Sequence, residues 1–542
     1  MRSIYSTIVF LSATLFLQAQ NSPAPPIQSE QIDIVKSFEP ELIRSSRITQ
    51  QPNLPKITSD SARALSYDVT DRLVKVGYNP GEVRPASYSS PVSKEDMSIA
   101  RLKAGFGSYL SPLIDFQMAN RKQETYSAGM GLDYFSARNK KVENQQMMRL
   151  SLDGNFNYYF DKFYVGANAG FGMHRVHFYG YDDEDTTFTE AETRHTYNTF
   201  HAGATFGNIG ENEIGLAYKG AFNVLGISNS YGHKEIGINF NADASKSFLE
   251  HYGAGLKLEG ESAALKGSLS NRSEFNLGIT PYFRAAMDIW QLTAGLSLWI
   301  AAGDIHLFPD IRNQVKIYKD YLVMYNEWYG RAKLNTLRDA AAENPFLSAN
   351  IDWENYRLET RNFVGIKGAL PFGIDYDILF AQQVYHNKPL FLNDTLDFRK
   401  FNYTYDNKVS ALNPHIGIGY RYSDMFRSAL TFDYYIYKTA NEAEAWHMPA
   451  LRLGWHNTFQ WNGKFTAKAT ILVNSGMKAL NEMGNTVTLS PNVDVNLELA
   501  YQLNKYIGFF AQLNNMAFSK YYEYYRYPSY AFSVMGGLVV SY

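Results

Sequence analysis

Cysteine is absent from all 542 residues. That absence removes disulfide bonds, thiol catalysis and lipoprotein acylation from the chemistry open to the chain. Charge of one sign is missing too. The 51 Lys and Arg balance 53 Asp and Glu to a net −2, and nothing in that balance points to nucleic acid as a partner. Long apolar runs are the third absence: beyond the first twenty residues no stretch of about eighteen apolar residues occurs, which excludes a membrane-spanning helix.

Aromatic residues are plentiful, with 40 Tyr and 35 Phe, yet the mean hydropathy is only −0.31. A transmembrane β-barrel reconciles the two, because only alternate strand residues face lipid while lumen and loops stay polar. The alternation is plain near the C-terminus. Asn492, Asp494, Asn496, Glu498 and Gln502 interleave with Val493, Val495, Leu497, Leu499, Tyr501 and Leu503. The final stretch sets Phe532, Val534, Leu538, Val540 and the terminal Tyr542 against Ser533, Gly537 and Ser541. Arg149 to Phe160 repeats the pattern, with Leu150, Leu152, Phe156, Tyr158 and Phe160 on one face and Arg149, Ser151, Asp153, Asn155 and Asn157 on the other.

Residues 1–20 carry Arg2, an apolar stretch from Ile8 to Leu17 and small or polar residues around Ala19 and Gln20, the pattern of a signal peptide. Residues 21–97 are rich in Pro, Ser and charge and read as an N-terminal arm, lying in the periplasm or in the lumen, with a plain linker as the alternative. Residues 98–542 read as the barrel.

Connections alternate in length. Short turns at Asp161-Lys162, Asn208 to Asn212, Lys319-Asp320, Asn462-Gly463 and Asn504-Lys505 separate long ones at Tyr181 to Arg194, Leu334 to Glu354, Asn387 to Lys408, Ser475 to Thr486 and Ala517 to Pro528. Outer-membrane barrels keep short turns in the periplasm and long loops outside, which would place both termini in the periplasm. Counting back from Tyr542 gives about 22 antiparallel strands, within a range of about 18 to 22, if Ser98 to Asn120 turns at Tyr109 to Pro112. The competing reading makes that segment one long strand, since Ala104, Phe106, Leu110, Ile114 and Phe116 share a phase. A lumen of this width must be narrowed or plugged.

Several segments carry a family likeness: Phe38-Glu39-Pro40, Pro55 to Asp60, Leu102 to Tyr109 with Ser111-Pro112, Phe308-Pro309-Asp310, Leu334 to Arg338 and Glu343-Asn344-Pro345-Phe346. In these the chain resembles the outer-membrane barrels of Bacteroidota labelled TonB-dependent receptors that look plug-less. The resemblance spans arm and barrel. It implies an outer-membrane location and uptake of a nutrient or siderophore, driven by the TonB energy complex. It also implies a coupling segment near the mature N-terminus, for which Ile32, Asp33, Ile34 and Val35 are the candidate, extended and apolar enough to pair with a partner strand.

Candidate site residues follow from position. The polar phase supplies lumen-lining candidates: Arg149, Asp153, His415, Arg421, His456, Asp494 and Glu498. In the loop after Leu334, the residues Leu334, Leu337 and Arg338 have helix-forming character, and Asn344-Pro345 ends the helix. This segment is either a constriction folded into the lumen or a surface helix packed on neighbouring loops. Tyr521, Tyr522, Tyr524, Tyr525 and Tyr527 read as an interfacial girdle or a strand extension, with a ligand-stacking surface as the alternative. The run Asp182 to Asp185 lacks the spacing and glycine of a calcium loop and reads as a solvated acidic loop. His174 and His177 point to opposite faces, so neither metal nor cofactor is expected. With no G-x-S-x-G elbow, no enzyme is expected either.

Two functions remain in view. The first is receptor-like transport or channel activity across the outer membrane. The second is a non-conducting structural or assembly barrel that partners a surface or periplasmic lipoprotein or an export machine. Outer-membrane lipids are partners in both.

Overall fold

The computed structural model describes residues 99–120, 125–181, 187–210, 213–267, 271–351 and 353–542. The signal peptide, the arm with Ile32 to Val35, and Asp182 to Asp185 lie outside the described residues.

The described chain forms one closed antiparallel ring of 22 strands. In chain order these are β1 (Ala100–Gly107), β2 (Ser111–Ala119), β3 (Tyr126–Arg138), β4 (Gln146–Tyr159), β5 (Phe163–His177), β6 (Arg194–Asn208), β7 (Leu216–Asn229), β8 (Lys234–Phe248), β9 (Tyr252–Lys266), β10 (Asn271–Ala286) and β11 (Trp290–Ala301). The second half comprises β12 (Asp304–Tyr318), β13 (Leu322–Leu334), β14 (Tyr356–Leu370), β15 (Ile374–His386), β16 (Val409–Tyr422), β17 (Phe426–Tyr434, continued by Ile436–Lys438), β18 (Leu451–Trp461), β19 (Phe465–Ser475), β20 (Asn492–Gln502), β21 (Ile507–Asn514) and β22 (Ser533–Ser541). Each strand pairs with its neighbours in sequence. The ring closes where β1 pairs with β22, from Arg101 opposite Ser541 to Gly107 opposite Met535. Closure leaves no strand edge, as a backbone surrounded by hydrocarbon requires.

The competing one-strand reading of Ser98 to Asn120 is overturned. β1 and β2 form a hairpin whose turn residues Tyr109 and Leu110 have φ of 61° and 48°. Its register pairs Ala104 with Ile114 and Phe106 with Pro112, even with even. Residues of one phase therefore stay on one face through the turn, and periodicity carries no trace of it.

The faces divide as the alternation predicts. Exposed large apolar residues recur on one phase, such as Leu102 and Phe106 in β1, Ile416 and Ile418 in β16, and Leu538 and Val540 in β22. At the end that carries the short turns, Phe160, Phe163, Phe248, Trp461, Tyr506 and Tyr542 are exposed, an aromatic band of the kind that sits at a membrane interface. The opposite phase forms the inner wall, and contacts reach across it between strands that are not neighbours: Lys103 of β1 bonds Glu498 of β20 at 3.1 Å, and Lys257 of β9 bonds Asp310 of β12 at 2.7 Å.

Every long connection leaves an odd-numbered strand, so all emerge at the end opposite the last residue. The tight turns at the other end rely on left-handed residues, Asn462 (φ 49°) and Gly463 (φ 64°) among them.

Candidate functional site

The long loops converge on the mouth and bury one another. A single apolar cluster gathers Val176, Tyr197, Ile227 and Leu265 from the ends of β5, β6, β7 and β9. It adds Leu337, Ala340, Phe346 and Leu347 from the loop after β13, Phe391 and Phe401 from the loop after β15, and Tyr524 and Tyr527 from the loop after β21. Contributors from so many sectors of the ring make a roof across the mouth. Burying each large side chain contributes roughly 1.5–3 kcal/mol, so the roof is a packed element and not a fringe of loose loops.

Among the described residues, the loop after β13 supplies the longer of two short helices at the mouth. Helix α1, the short turn Glu190–Thr193, belongs to the loop after β5; α2, Leu337–Glu343, follows β13. The Thr336 side chain caps α2 by accepting from the Asp339 N–H. Two inner-wall carboxylates do the rest. Glu235 of β8 accepts from the backbone N–H groups of Leu337 and Arg338, and Glu261 of β9 accepts from Leu334 N–H. The Leu337 and Arg338 donors have no partner inside a helix, and anions are favoured there, whereas the Leu334 N–H belongs to the end of β13. Neither glutamate was among the candidates, because an acidic residue in a strand's polar phase looks like any other lining residue.

The loop candidates therefore fall as follows. Leu337 is buried in α2, Arg338 is half-buried beside it, and Asn344 closes the helix and is buried. Pro345 gives its carbonyl to the Tyr197 hydroxyl at 3.0 Å. Leu334 is not helical: it ends β13, buried against the roof.

The tyrosine-rich segment does form short strands, Tyr522–Tyr524 paired with Tyr527–Pro528, but Tyr524 and Tyr527 are buried in the roof and not set in an interfacial girdle. Tyr527 is 1% exposed and donates its hydroxyl to Arg399 carbonyl, Tyr524 donates to Glu343 carbonyl, and Pro528 carbonyl accepts from Gln145 at 2.7 Å and Tyr179 at 3.2 Å. Amphipathic rings suit this use as well as a headgroup layer: the ring fills the core while the hydroxyl satisfies a loop carbonyl. Sequence patterning does not distinguish the two.

Titratable groups in the roof are strongly biased. Burial pushes the His447 imidazole down to about 4, while its hydrogen bond to the Phe391 carbonyl works the other way. Burial likewise lowers the Lys388 ammonium to about 7; it is 2% exposed, with the Tyr385 ring 4.8 Å away. For Asp397, burial opposes ionisation, but hydrogen bonds from Arg399 and Lys400 outweigh it and bring the carboxyl to about 2.

Below the roof the inner wall of β1 to β6 is recessed. A cavity of about 730 Å³ lies on the rim side, lined by Lys103, Asp115, Asp133, Arg149, His174 and Tyr530 among others. A second, about 570 Å³, lies nearer the termini and includes Arg101, Asp153, Asn155 and His201. Asp115 of the first and Arg101 of the second face each other at 3.9 Å, so this weak pair marks the boundary.

The polar-phase candidates do not form one cluster. Arg149 lines the first cavity, and Asp153 the second, 3.7 Å from His201. Glu498 holds Lys103, Lys468 and Gln512. Asp494 accepts from Asn496 at 2.8 Å. His415 contacts Asp433 at 2.9 Å in the β16–β17 wall, and His456 lies 3.4 Å from Thr470 in the β18–β19 wall. Arg421 lies in the last residues of β16, bonded to Asp424 in the turn that follows. Among the described residues no group of three metal-ligating side chains occurs.

No protein-family model and no curated protein matches the chain. Solved structures do. The chain is similar to the FrpB iron transporter from Neisseria meningitidis, with TM-score 0.65 at 9% identity over 82% of this chain and 81% of that one. It is similar to the siderophore receptor PirA from Acinetobacter baumannii, with TM-score 0.63 at 9% identity over 82% and 80%. A mutant of the ferric enterobactin receptor PfeA from Pseudomonas aeruginosa gives TM-score 0.61 at 12% identity over the same shares. At such identities the likeness is one of fold, the closed barrel that these receptors and transporters share with this chain.

Proposed function

We propose that this protein is an outer-membrane barrel of the TonB-dependent-receptor-like kind that carries a solute across the outer membrane, with the loop roof closing its outer mouth. The observation that carries the reading is the combination, among the described residues, of an apolar exterior, a polar recessed inner wall and a packed roof at one end. The fold shared with an iron transporter and siderophore receptors supports it. In this reading residues 1–20 direct export and are removed, and residues 21–97 lie on the periplasmic side or enter the lumen from there. Ile32 to Val35 are the candidate contact for the TonB complex. The loop after β13 constricts the path, and the inner-wall residues Arg149, Asp153 and Glu498 line it, together with His415, His456, Asp494 and Arg421.

The roof's dense packing favours a second reading, a non-conducting barrel that docks a lipoprotein or export machine. Conductance in planar bilayers separates the two. A carrier closed by roof and arm conducts little as the full chain and more when Phe346 and Tyr527 are both changed to Ala or when residues 21–97 are deleted. A barrel that stays silent after both changes, and that purifies with a stoichiometric lipoprotein, is a scaffold. Loss of energy-dependent uptake on disrupting Ile32 to Val35 tests the coupling separately.

A further inference from the structure

Around the rim-side cavity the inner wall sets charges of both signs with few close ion pairs among them. Asp115 of β2 stands directly opposite Asp133 of β3, and Asp133 opposite Ser151 of β4. Two residues along β4, Arg149 faces His174 of β5, which places it on the diagonal from Asp133, roughly 7–8 Å away. All five residues line the cavity.

Like charges directly opposite are unfavourable, and the lysine placed to offset them is engaged elsewhere. Lys103 is the register partner of Asp115, yet its ammonium bonds Glu498 at 3.1 Å and lies 4.3 Å from the Phe510 ring centroid. Among the described residues Asp115 has only the distant Arg101 as an ion-pair partner, and its Oδ1 is buried without a hydrogen-bond partner. Among the described residues, Asp133 and Arg149 form no ion pair within 4.0 Å. Toward the rim the same cavity turns apolar, with Leu113, Phe135, Met147 and Met535.

We propose that this cavity binds a small zwitterion with an apolar side chain, an amino acid or short peptide. Its ammonium meets Asp115 and Asp133, its carboxylate meets Arg149 beside His174, and its apolar group lies against Leu113, Phe135 and Met147. A simple cation would leave Arg149 unsatisfied, an anion would leave the carboxylate pair unsatisfied, and an uncharged solute would leave both. The volume, about 730 Å³, is that of a small-molecule site. The assignment rests on the reading of the barrel as a solute carrier and names the class of solute.

The test is equilibrium dialysis of radiolabelled leucyl-leucine against the detergent-solubilised full chain, with N-acetylated and C-amidated forms as comparisons. Blocking either end weakens binding about tenfold or more, the loss expected for one charged hydrogen bond. Asp133→Asn removes the discrimination against the N-acetyl form, and Arg149→Gln removes that against the amide. Asp433→Asn, in the opposite wall, changes neither. Heat-modifiable gel mobility verifies that each variant is a folded barrel. Absence of dipeptide binding at millimolar concentration, or equal binding of blocked and free forms, overturns the assignment. Liposome swelling by a neutral sugar through the roof-opened Phe346→Ala/Tyr527→Ala chain tests the carrier reading on its own. Swelling without dipeptide binding sinks the assignment alone, whereas selective binding without any flux supports the site and removes the carrier reading.

Discussion

Phe346, from the loop after β13, stacks on Tyr527, from the loop after β21, with ring centroids 3.8 Å apart and planes 28° from parallel. The two residues are 181 positions apart in sequence and leave distant sectors of the ring, so this contact ties the roof across the mouth. Tyr527→Ala removes both the ring and the hydroxyl that serves the Arg399 carbonyl. The expected cost is about 3–5 kcal/mol of local stability, against about 1 kcal/mol for Tyr527→Phe. Hydrogen exchange should show opening of residues 335–355 and 515–532 while strand amides stay protected. Equal protection of the roof in Tyr527→Ala and the parent would refute the role.

Glu235 holds the first N–H groups of α2 from the barrel wall. Glu235→Ala leaves those donors buried and without an acceptor, so α2 should detach at a cost of about 1–3 kcal/mol. Limited proteolysis within 336–349 should accelerate, with the barrel's thermal transition nearly unchanged. A shift in that transition as large as the change in loop cleavage would mean that Glu235 supports the barrel and not the helix.

His447 gives the roof a pH dependence. Its Nδ1 donates to Phe391 carbonyl at 3.0 Å and its Nε2 accepts from Tyr525 N–H at 3.3 Å, a pairing only the neutral ring can make. With the imidazole held at about 4, below its unfolded value, the unfolded loop binds the proton more readily. Roof stability is therefore complete above about pH 6.5 and falls as the pH drops toward 4, by about 3 kcal/mol in all. Exchange of residues 439–450 measured across this window should rise in the parent and stay flat in His447→Asn.

Gly537 sits in the seam opposite Gly105. A Cβ there would meet the Ala104 carbonyl oxygen and stand 2.6 Å from Gly105 Cα, both backbone atoms that cannot rotate away. Gly537→Ala should prevent β1 from pairing with β22 and leave an open sheet. Loss of the heat-modifiable fast-migrating form would show it. Gly484→Ala, at a loop tip with open space around it, serves as the control for expression, although its positive φ carries its own small strain.

Much of the barrel was legible because its signals are local. Asn492 to Leu503 exposes a two-residue period in a single glance, and turns such as Asn462-Gly463 carry their own chemistry. The hairpin at Tyr109 was harder, since its even-with-even register preserves phase and leaves length as the only clue. The roof was not legible. Tyr524 and Tyr527 look alike whether they face headgroups or a buried core, and Glu235 and Glu261 look alike whether they line water or accept from the backbone of a loop.

The sequence alone determined the ring: alternation, turn placement and the absence of long apolar runs leave few ways to satisfy every backbone group except closure. What fills the mouth, and which polar side chains are spent on one another, depended on contacts between residues more than a hundred positions apart. Such contacts leave no periodic trace, because each is fixed by where the ring brings two loops together and not by the residues beside either partner.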